Sequence, residues 1–268
     1  MKNWKNIQLE ITGRRANLLL NRKKVHNALN PRMIEEMHEA LAKVAADDKV
    51  QFLVISGAGK SFCAGADINW FAEAVNKAKS DNWQEYLRMA ELMKVIYQFP
   101  KITITAVHRH VLGGANGIVA ACDFAVAEHS TAFAFGEIKL GIVPAIITPF
   151  LSKRMSTQNL KKLMYSGDRF GAPHAHGVGL VDFLAEDGQL EQVVNELIDG
   201  LKNSSPNALR ACKQLLLKEG SGELTIENSE YTAAVLAELI HSDEGQEGLR
   251  AFLEKRKPDW KKLNVVEN

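Results

Sequence analysis

Apolar and polar positions alternate strictly along Ile7-Gln8-Leu9-Glu10-Ile11, the period of a half-buried strand. Gly13-Arg14-Arg15 turns the chain into residues 16–20, which read as a second strand. Asn30 followed by Pro31 has the cap and first-turn proline of a helix start, and Met33, Met37, Leu41 and Val44 then recur at helical spacing. Gln51-Phe52-Leu53-Val54-Ile55 is a continuous apolar run of strand length. Residues 69–97 read as helical, with a break near Ser80-Asp81 and with Leu87, Leu92 and Ile96 on the buried side. Strands follow at 102–107, 124–127 and 132–135. Between the first two of these, a helix of small residues runs on to Ala121. From Thr148 onward helices dominate, and the last ~65 residues carry no strand pattern at all. The order strand-strand-helix, repeated with drift, predicts an α/β core followed by a helical appendage.

Two of the strand-like runs empty into stretches almost devoid of side chains. Residues 51–55 lead into Ser56-Gly57-Ala58-Gly59-Lys60-Ser61-Phe62-Cys63-Ala64-Gly65-Ala66-Asp67-Ile68, and residues 102–107 lead to Leu112-Gly113-Gly114-Ala115-Asn116-Gly117. Such turns let a ligand approach the backbone, and their N–H groups can hold a developing oxyanion. Two of them suggest two donors converging on one oxygen.

Composition changes this picture little. The 268 residues are 46% hydrophobic and 24% charged, with a formal net charge of +1, so nothing selects a nucleic-acid partner. Three widely spaced cysteines fit a reducing compartment and give no zinc spacing. The first ten residues lack a signal-peptide core and no apolar run is long enough for a bilayer, which predicts a cytoplasmic protein without membrane partner. Gly57-Ala58-Gly59-Lys60-Ser61 is not a phosphate-binding P-loop, because the motif's first glycine would fall on Val54. His174 and His176, two apart on a helix, share no face for a metal. His108 and His110 read as structural before they read as ligand contacts, and Cys63 reads as packing. Glu137 is the acid of interest: set between Gly136 and Ile138 after an aromatic strand, it is expected to be partly desolvated and suited to proton transfer, or else hydrogen-bonded to a loop.

Residues 62–68, then Leu112-Gly113-Gly114 with Cys122-Asp123 beyond, then Phe135-Gly136-Glu137-Ile138-Lys139-Leu140-Gly141-Ile142-Val143-Pro144, resemble the crotonase family of enoyl-CoA hydratases and isomerases in order and spacing. His26-Asn27-Ala28-Leu29-Asn30 and the tail from Glu244 to Arg256 extend the likeness over nearly the whole chain. The resemblance implies a spiral of ββα turns over residues 1–200 and a helical trimerisation region over 201–268, assembled as a trimer or a pair of trimers. It implies an acyl-CoA thioester as substrate, with no cofactor beyond the coenzyme A that the substrate carries. The oxyanion donors would be the N–H groups of Ala66 and Gly114, with Glu137 as acid/base. Lys24, Val25 and Asn27, together with Ala64, Asp67 and Ile68, would contact the CoA portion, Lys24 either on a phosphate or simply solvated. Gly117 stands where two-glutamate hydratases carry their other glutamate, and is placed with the substrate contacts. A glycine there is also found in a subgroup resembling 3-methylglutaconyl-CoA hydratases, whose substrates bear a second carboxylate; no basic group to meet it is identifiable. The likeness is strongest to that subgroup, and the expectation is a hydratase acting on a 2-enoyl-CoA, with 3-methylglutaconyl-CoA or a related branched dicarboxylic thioester of acyl or leucine catabolism as the candidate substrate. A Δ3-Δ2 enoyl-CoA isomerase working with one glutamate is the alternative, and a non-catalytic acyl-CoA binder a third.

Overall fold

The computed structural model describes residues 4–219 and 225–260. The chain divides into two compact units, Met1–Glu196 and Leu197–Asn268. The first unit opens with the hairpin β1 (Ile7–Thr12) and β2 (Arg15–Leu20), then α1 (Pro31–Ala45), β3 (Phe52–Gly57), α2 (Ile68–Ala74) and α3 (Lys79–Tyr97). It continues through β4 (Ile102–Val107), β5 (His110–Leu112), α4 (Ala115–Ala121), β6 (Phe124–Glu128), β7 (Ala132–Ala134) and α5 (Thr148–Leu151). Next come α6 (Thr157–Ser166), β8 (Arg169–Gly171), α7 (Ala172–Gly177), β9 (Phe183–Ala185) and α8 (Leu190–Leu201), which runs across the division.

The main sheet has the order β1-β2-β3-β4-β6-β9, antiparallel at its first pair and parallel thereafter. A smaller sheet, β5-β7-β8, stands apart from it. The central strand β3 has the continuous burial of a strand covered on both faces, with Phe52, Leu53, Val54 and Ile55 all at the solvent-free end of the scale. Against the sheet, α1 lays down Met33, Ile34, Met37, Ala40, Leu41 and Val44, all buried. Its start is fixed as the sequence suggests, since the Asn30 side chain accepts from the Met33 N–H at 2.9 Å and Pro31 follows.

Three sequence expectations are corrected. The helical stretch 69–97 is two helices, and the second begins at Lys79 rather than after Ser80-Asp81. Leu87 is on the exposed side of α3; Met89, Leu92, Met93 and Ile96 are its buried stripe. β5 and β8, each of three residues, are too short to show a period and were not expected as strands.

The second unit contains α9 (Pro206–Glu219), α10 (Ile226–His241) and α11 (Asp243–Leu253). Buried Glu244 accepts from the Asn207 N–H at 2.9 Å and from the Ser205 hydroxyl, tying α11 to the start of α9. Gly245 permits the sharp α10–α11 junction, where a Cβ would lie 1.9 Å from the Leu239 carbonyl oxygen. Among the described residues no helix is long and apolar enough to cross a membrane.

Candidate active site

The site is assembled by register. A parallel bridge joins Cys63 to Val111, closed by the Cys63 N–H to the His110 carbonyl and the Leu112 N–H to the Cys63 carbonyl, both 3.1 Å. Val111 pairs in turn with Phe133 across β5 and β7. Cys63, Val111 and Phe133 therefore form one row of parallel backbone, and Ala66, Gly114 and Glu137 follow them at the same end of that row. This is why two turns and one acid, far apart in sequence, meet. Gly65 (φ +91°) and Gly113 (φ +51°) make the approach possible: a Cβ on Gly65 would lie 2.8 Å from the Leu112 carbonyl oxygen, and one on Gly113 would lie 3.0 Å from Glu137 Oε1.

A parallel bridge between Leu29 and Ala66 uses the Gly65 carbonyl (2.7 Å) and the Asp67 N–H (2.8 Å), leaving the Ala66 N–H on the opposite side. Neither the Ala66 nor the Gly114 N–H meets a backbone acceptor among the described residues. Asn116, fully buried in α4, holds the second turn in place. Its Nδ2 donates to the carbonyls of Gly113 (2.9 Å) and Ala134 (3.0 Å), with a longer contact to Val111 (3.4 Å). No sequence signal marked it, since a polar residue in a small-residue helix announces no partner.

Two cavities open on this row. One, of about 480 Å³, is walled by the backbone of both turns with Ala64, Ile68 and Leu140, and has Lys139 and Arg169 at its edge. The other, of about 520 Å³, is walled by Trp70, Phe71, Tyr86, Met89 and the loop 141–147. Ala66, Phe71, Gly114 and Glu137 line both, so the candidate donors and the acid sit at the junction. The Glu137 carboxyl is half-buried, and its Oε2 has no hydrogen-bond partner. Burial holds its pKa above the usual carboxylate range, which its own backbone N–H only partly offsets. The loop-bonded alternative for this acid is not what the structure holds.

The remaining expected contacts divide. Ala64 and Ile68 line the first cavity, Ile68 with 79% of its surface exposed. Lys24 and Val25 sit exposed on a short 3-10 turn and line neither cavity. Asn27 is corrected: fully buried, it donates through Nδ2 to the carbonyls of Ala58 and Ser61 (both 2.8 Å) and Phe62 (3.1 Å). Its Oδ1 accepts from the Arg22 N–H at 2.8 Å. Asp67 is corrected as well, since it turns inward to cap α2 through the Asn69 N–H (2.9 Å) and to pair with Arg22 at 2.8 Å. Burial alone would raise the Asp67 pKa, but the Asn69 N–H and the Arg22 guanidinium outweigh it and hold the carboxyl below its ordinary range. Gly117 is corrected for a steric reason: it is buried in α4 and touches neither cavity, and a Cβ there would lie 2.3 Å from Ile147 Cγ2 and 3.2 Å from Met93 Sδ. Ile147 fills the room a glutamate would need, and it forms part of the second cavity's wall.

The histidines weighed earlier are engaged in the scaffold. His108 Nε2 donates to the Gly59 carbonyl at 3.0 Å, and the buried Ser61 hydroxyl lies 3.1 Å from the Nδ1 atoms of both His26 and His110. Burial, followed by the charge of Arg169, lowers the His110 pKa. His176 Nδ1 donates to the Val181 carbonyl at 3.0 Å. Burial pushes the Cys63 thiol up to about 12, which makes it an inert packing group.

Residues 13–263 match the family model described as "Enoyl-CoA hydratase/isomerase". The 2,3-dehydroadipyl-CoA hydratase of Escherichia coli is 33% identical, over 91% of this chain and 94% of its own. The peroxisomal Delta(3,5)-Delta(2,4)-dienoyl-CoA isomerase of Arabidopsis thaliana is 30% identical, over 92% of each chain. The crystal structure of an enoyl-CoA hydratase from Shewanella pealeana superposes with a TM-score of 0.91 at 32% identity, over 96% of each chain.

Proposed function

The chain belongs to the enoyl-CoA hydratase/isomerase family and has its crotonase fold, and from that premise we propose that it adds water across the double bond of a 2-enoyl-CoA thioester. The observation that carries this reading is the half-buried Glu137 carboxyl, its Oε2 without a hydrogen-bond partner, beside Gly113 in the wall that Ala66 and Gly114 share.

The thioester oxygen would sit between the Ala66 and Gly114 N–H groups, with the CoA portion in the first cavity and the acyl chain in the second. Pantetheine amides and phosphates suit a backbone-lined opening edged by Arg169 and Lys139, and hydrocarbon suits an apolar one. As hydroxide adds to C3, negative charge moves onto the thioester oxygen, where each fixed donor contributes about 3 kcal/mol. Glu137 takes the proton from the attacking water and returns it to C2, collapsing the enolate. A carboxylate whose proton affinity is raised by burial is a better base at neutral pH than a solvated one. The test is Glu137→Gln assayed on crotonyl-CoA: hydration falls by a factor of about 100 or more, and full retention of activity rejects the assignment.

One observation favours a second reading. Among the described residues Glu137 is the single carboxylate lining either cavity, and moving a double bond from Δ3 to Δ2 needs one group that removes a proton from C2 and redelivers it at C4. Turnover of 3-enoyl-CoA faster than 2-enoyl-CoA would select it. Both readings expect copies of this chain to associate through the second unit as trimers or pairs of trimers. Leu216, Ile226, Leu236, Phe252 and Leu253, each between 61% and 79% exposed there, support this. Sedimentation as a monomer at micromolar concentration would overturn it.

A further inference from the structure

Among the described residues no cation lines the second cavity. Its walls are Trp70, Phe71, Tyr86, Met89 and the loop 141–147, with Ala66 and Gly114, and its charged group is Glu137, itself an acid. The two polar side chains among the aromatics bring no positive charge to a carboxylate. Trp70 Nε1 already donates to Glu85 Oε2 at 2.6 Å, and Glu85 is in turn held by Lys77 at 2.6 Å. Tyr86, tilted against Trp70 with ring centroids 5.7 Å apart, offers a hydroxyl that can donate a single hydrogen bond but is no counter-ion. The cations near the site, Lys139 and Arg169, edge the other cavity, and Lys139 is bound to Asp168 at 2.6 Å. The place beside Gly117 is uncharged too, since Ile147 and the Met93 thioether occupy it.

We propose that the acyl specificity of this protein is for uncharged hydrocarbon chains, and that it rejects acyl groups bearing a second carboxylate. The inference rests on the reading of the second cavity as the acyl site. A terminal carboxylate there would be stripped of water, face Glu137 and meet no counter-ion, which is the costly way to bury a charge. A hydrocarbon chain would gain about fourfold in binding per added methylene until the cavity is filled. This sets the chain apart from the dicarboxylic subgroup that its glycine at 117 suggested. It also separates it from the Escherichia coli relative, whose name specifies a 2,3-dehydroadipyl substrate.

The experiment compares matched six-carbon thioesters on the full-length protein. Hydration of trans-2-hexenoyl-CoA is measured against 2,3-dehydroadipyl-CoA, and calorimetric binding of hexanoyl-CoA against adipyl-CoA. The expected preference for the hydrocarbon member is about 100-fold in kcat/KM, the scale of an unpaired buried charge, with the same order in binding. Equal or better handling of the dicarboxylic member in either arm overturns the inference while leaving the hydratase reading intact. Absence of hydration for all thioesters rejects that reading, and the binding arm still decides specificity: tighter hexanoyl-CoA supports the inference, and equal or reversed affinities overturn it. If no thioester binds, both fail. A second arm uses Ile147→Arg, which places a cation in the wall. A shift of binding towards adipyl-CoA supports the assignment of this cavity to the acyl end, and an unchanged ratio in a folded variant overturns it.

Discussion

Two clusters of polar side chains lie within a few residues of the same glycine turns, and they are opposites. In the first, Arg22, Asn27 and Asp67 bond to one another or to backbone: four hydrogen bonds at Asn27, a cap and an ion pair at Asp67, and an Arg22 contact to the Ala28 carbonyl. In the second, Glu137 stands beside Gly113 with Oε2 bare. The contrast is the one expected if the first cluster is scaffold and Glu137 has the catalytic part we propose for it. A buried group with its bonds satisfied stabilises the fold, whereas one left unsatisfied costs free energy; Glu137 joins that cost to a place in the wall of both cavities, unlike Asn116, whose bare Oδ1 lines neither. The two carboxylates even titrate in opposite directions, Asp67 held low and Glu137 held high.

The largest effect expected from breaking the comparison is at Glu137. Glu137→Gln loses about 100- to 10,000-fold in kcat, yet its stability does not suffer. The sign follows from linkage: the raised folded-state pKa stabilises while Glu137 is protonated, and that contribution is lost as pH rises through the folded value. The glutamine variant is thus at least as stable as the parent at neutral pH, and its advantage disappears below the ordinary carboxylate range. Thermal melts from acid to neutral pH check this. In the parent, kcat/KM should fall on the acid side with an apparent pKa above that of a solvated glutamate.

The scaffold cluster should behave in reverse. Asn27→Ala strands three carbonyls and the Arg22 N–H, and puts alanine at φ +55°, so it should cost about 3 kcal/mol while kcat per folded molecule changes little. Asp67→Asn breaks a buried ion pair and should cost about 2–4 kcal/mol. Because the Asp67 pKa is lowered, the stability it confers is present above the unfolded value and fades as pH falls through the folded one. The gap between parent and Asp67→Asn should therefore close in acid, opposite to Glu137. Chemical denaturation with activity normalised to folded protein separates the two clusters.

Gly117 tests how firmly the second cluster is restricted to one acid. Gly117→Glu should destabilise by about 1–3 kcal/mol through overpacking, because Ile147 Cγ2 and Met93 Sδ occupy the space. Combined with Ile147→Ala, most of that cost should be relieved. The added carboxylate should then push the acid limb of the pH–rate profile upward by like-charge repulsion. A double variant no more stable than Gly117→Glu alone would show that Ile147 is not the obstacle.

Much of this was legible in the chain itself. The long periodic elements, the small-residue turns and the isolation of Glu137 among apolar neighbours all carry local signals, so β1 to β4, α1 and the acid were readable. The second cavity was not. Trp70 and Tyr86 come from two different helices, and Ile147 comes from a loop that reads only as punctuation. The fate of Asn27 and Asp67 was hidden for a related reason. A polar residue beside a glycine turn looks the same whether it faces a ligand or folds back onto carbonyls across the chain, and only the long-range register of Leu29 with Ala66 decides. At Gly117 the sequence told of a missing carboxylate but not of the isoleucine in its place.

The smallest expected effect sharpens where the scaffold cluster ends and the substrate begins. Lys24 sits on the same segment as Arg22 and Asn27, but exposed, on a turn whose neighbour Lys23 lays its stem against Gly59. If its ammonium reaches a CoA phosphate, it does so through water-screened charge alone. Lys24→Ala should then raise KM for a CoA thioester by about two- to fivefold at low salt, with kcat and stability unchanged. The difference should vanish near 1 M salt, where the Debye length falls to about 3 Å. A KM unmoved at low salt would make Lys24 a solvated surface residue and would limit the segment's part in the site to holding the first turn in register.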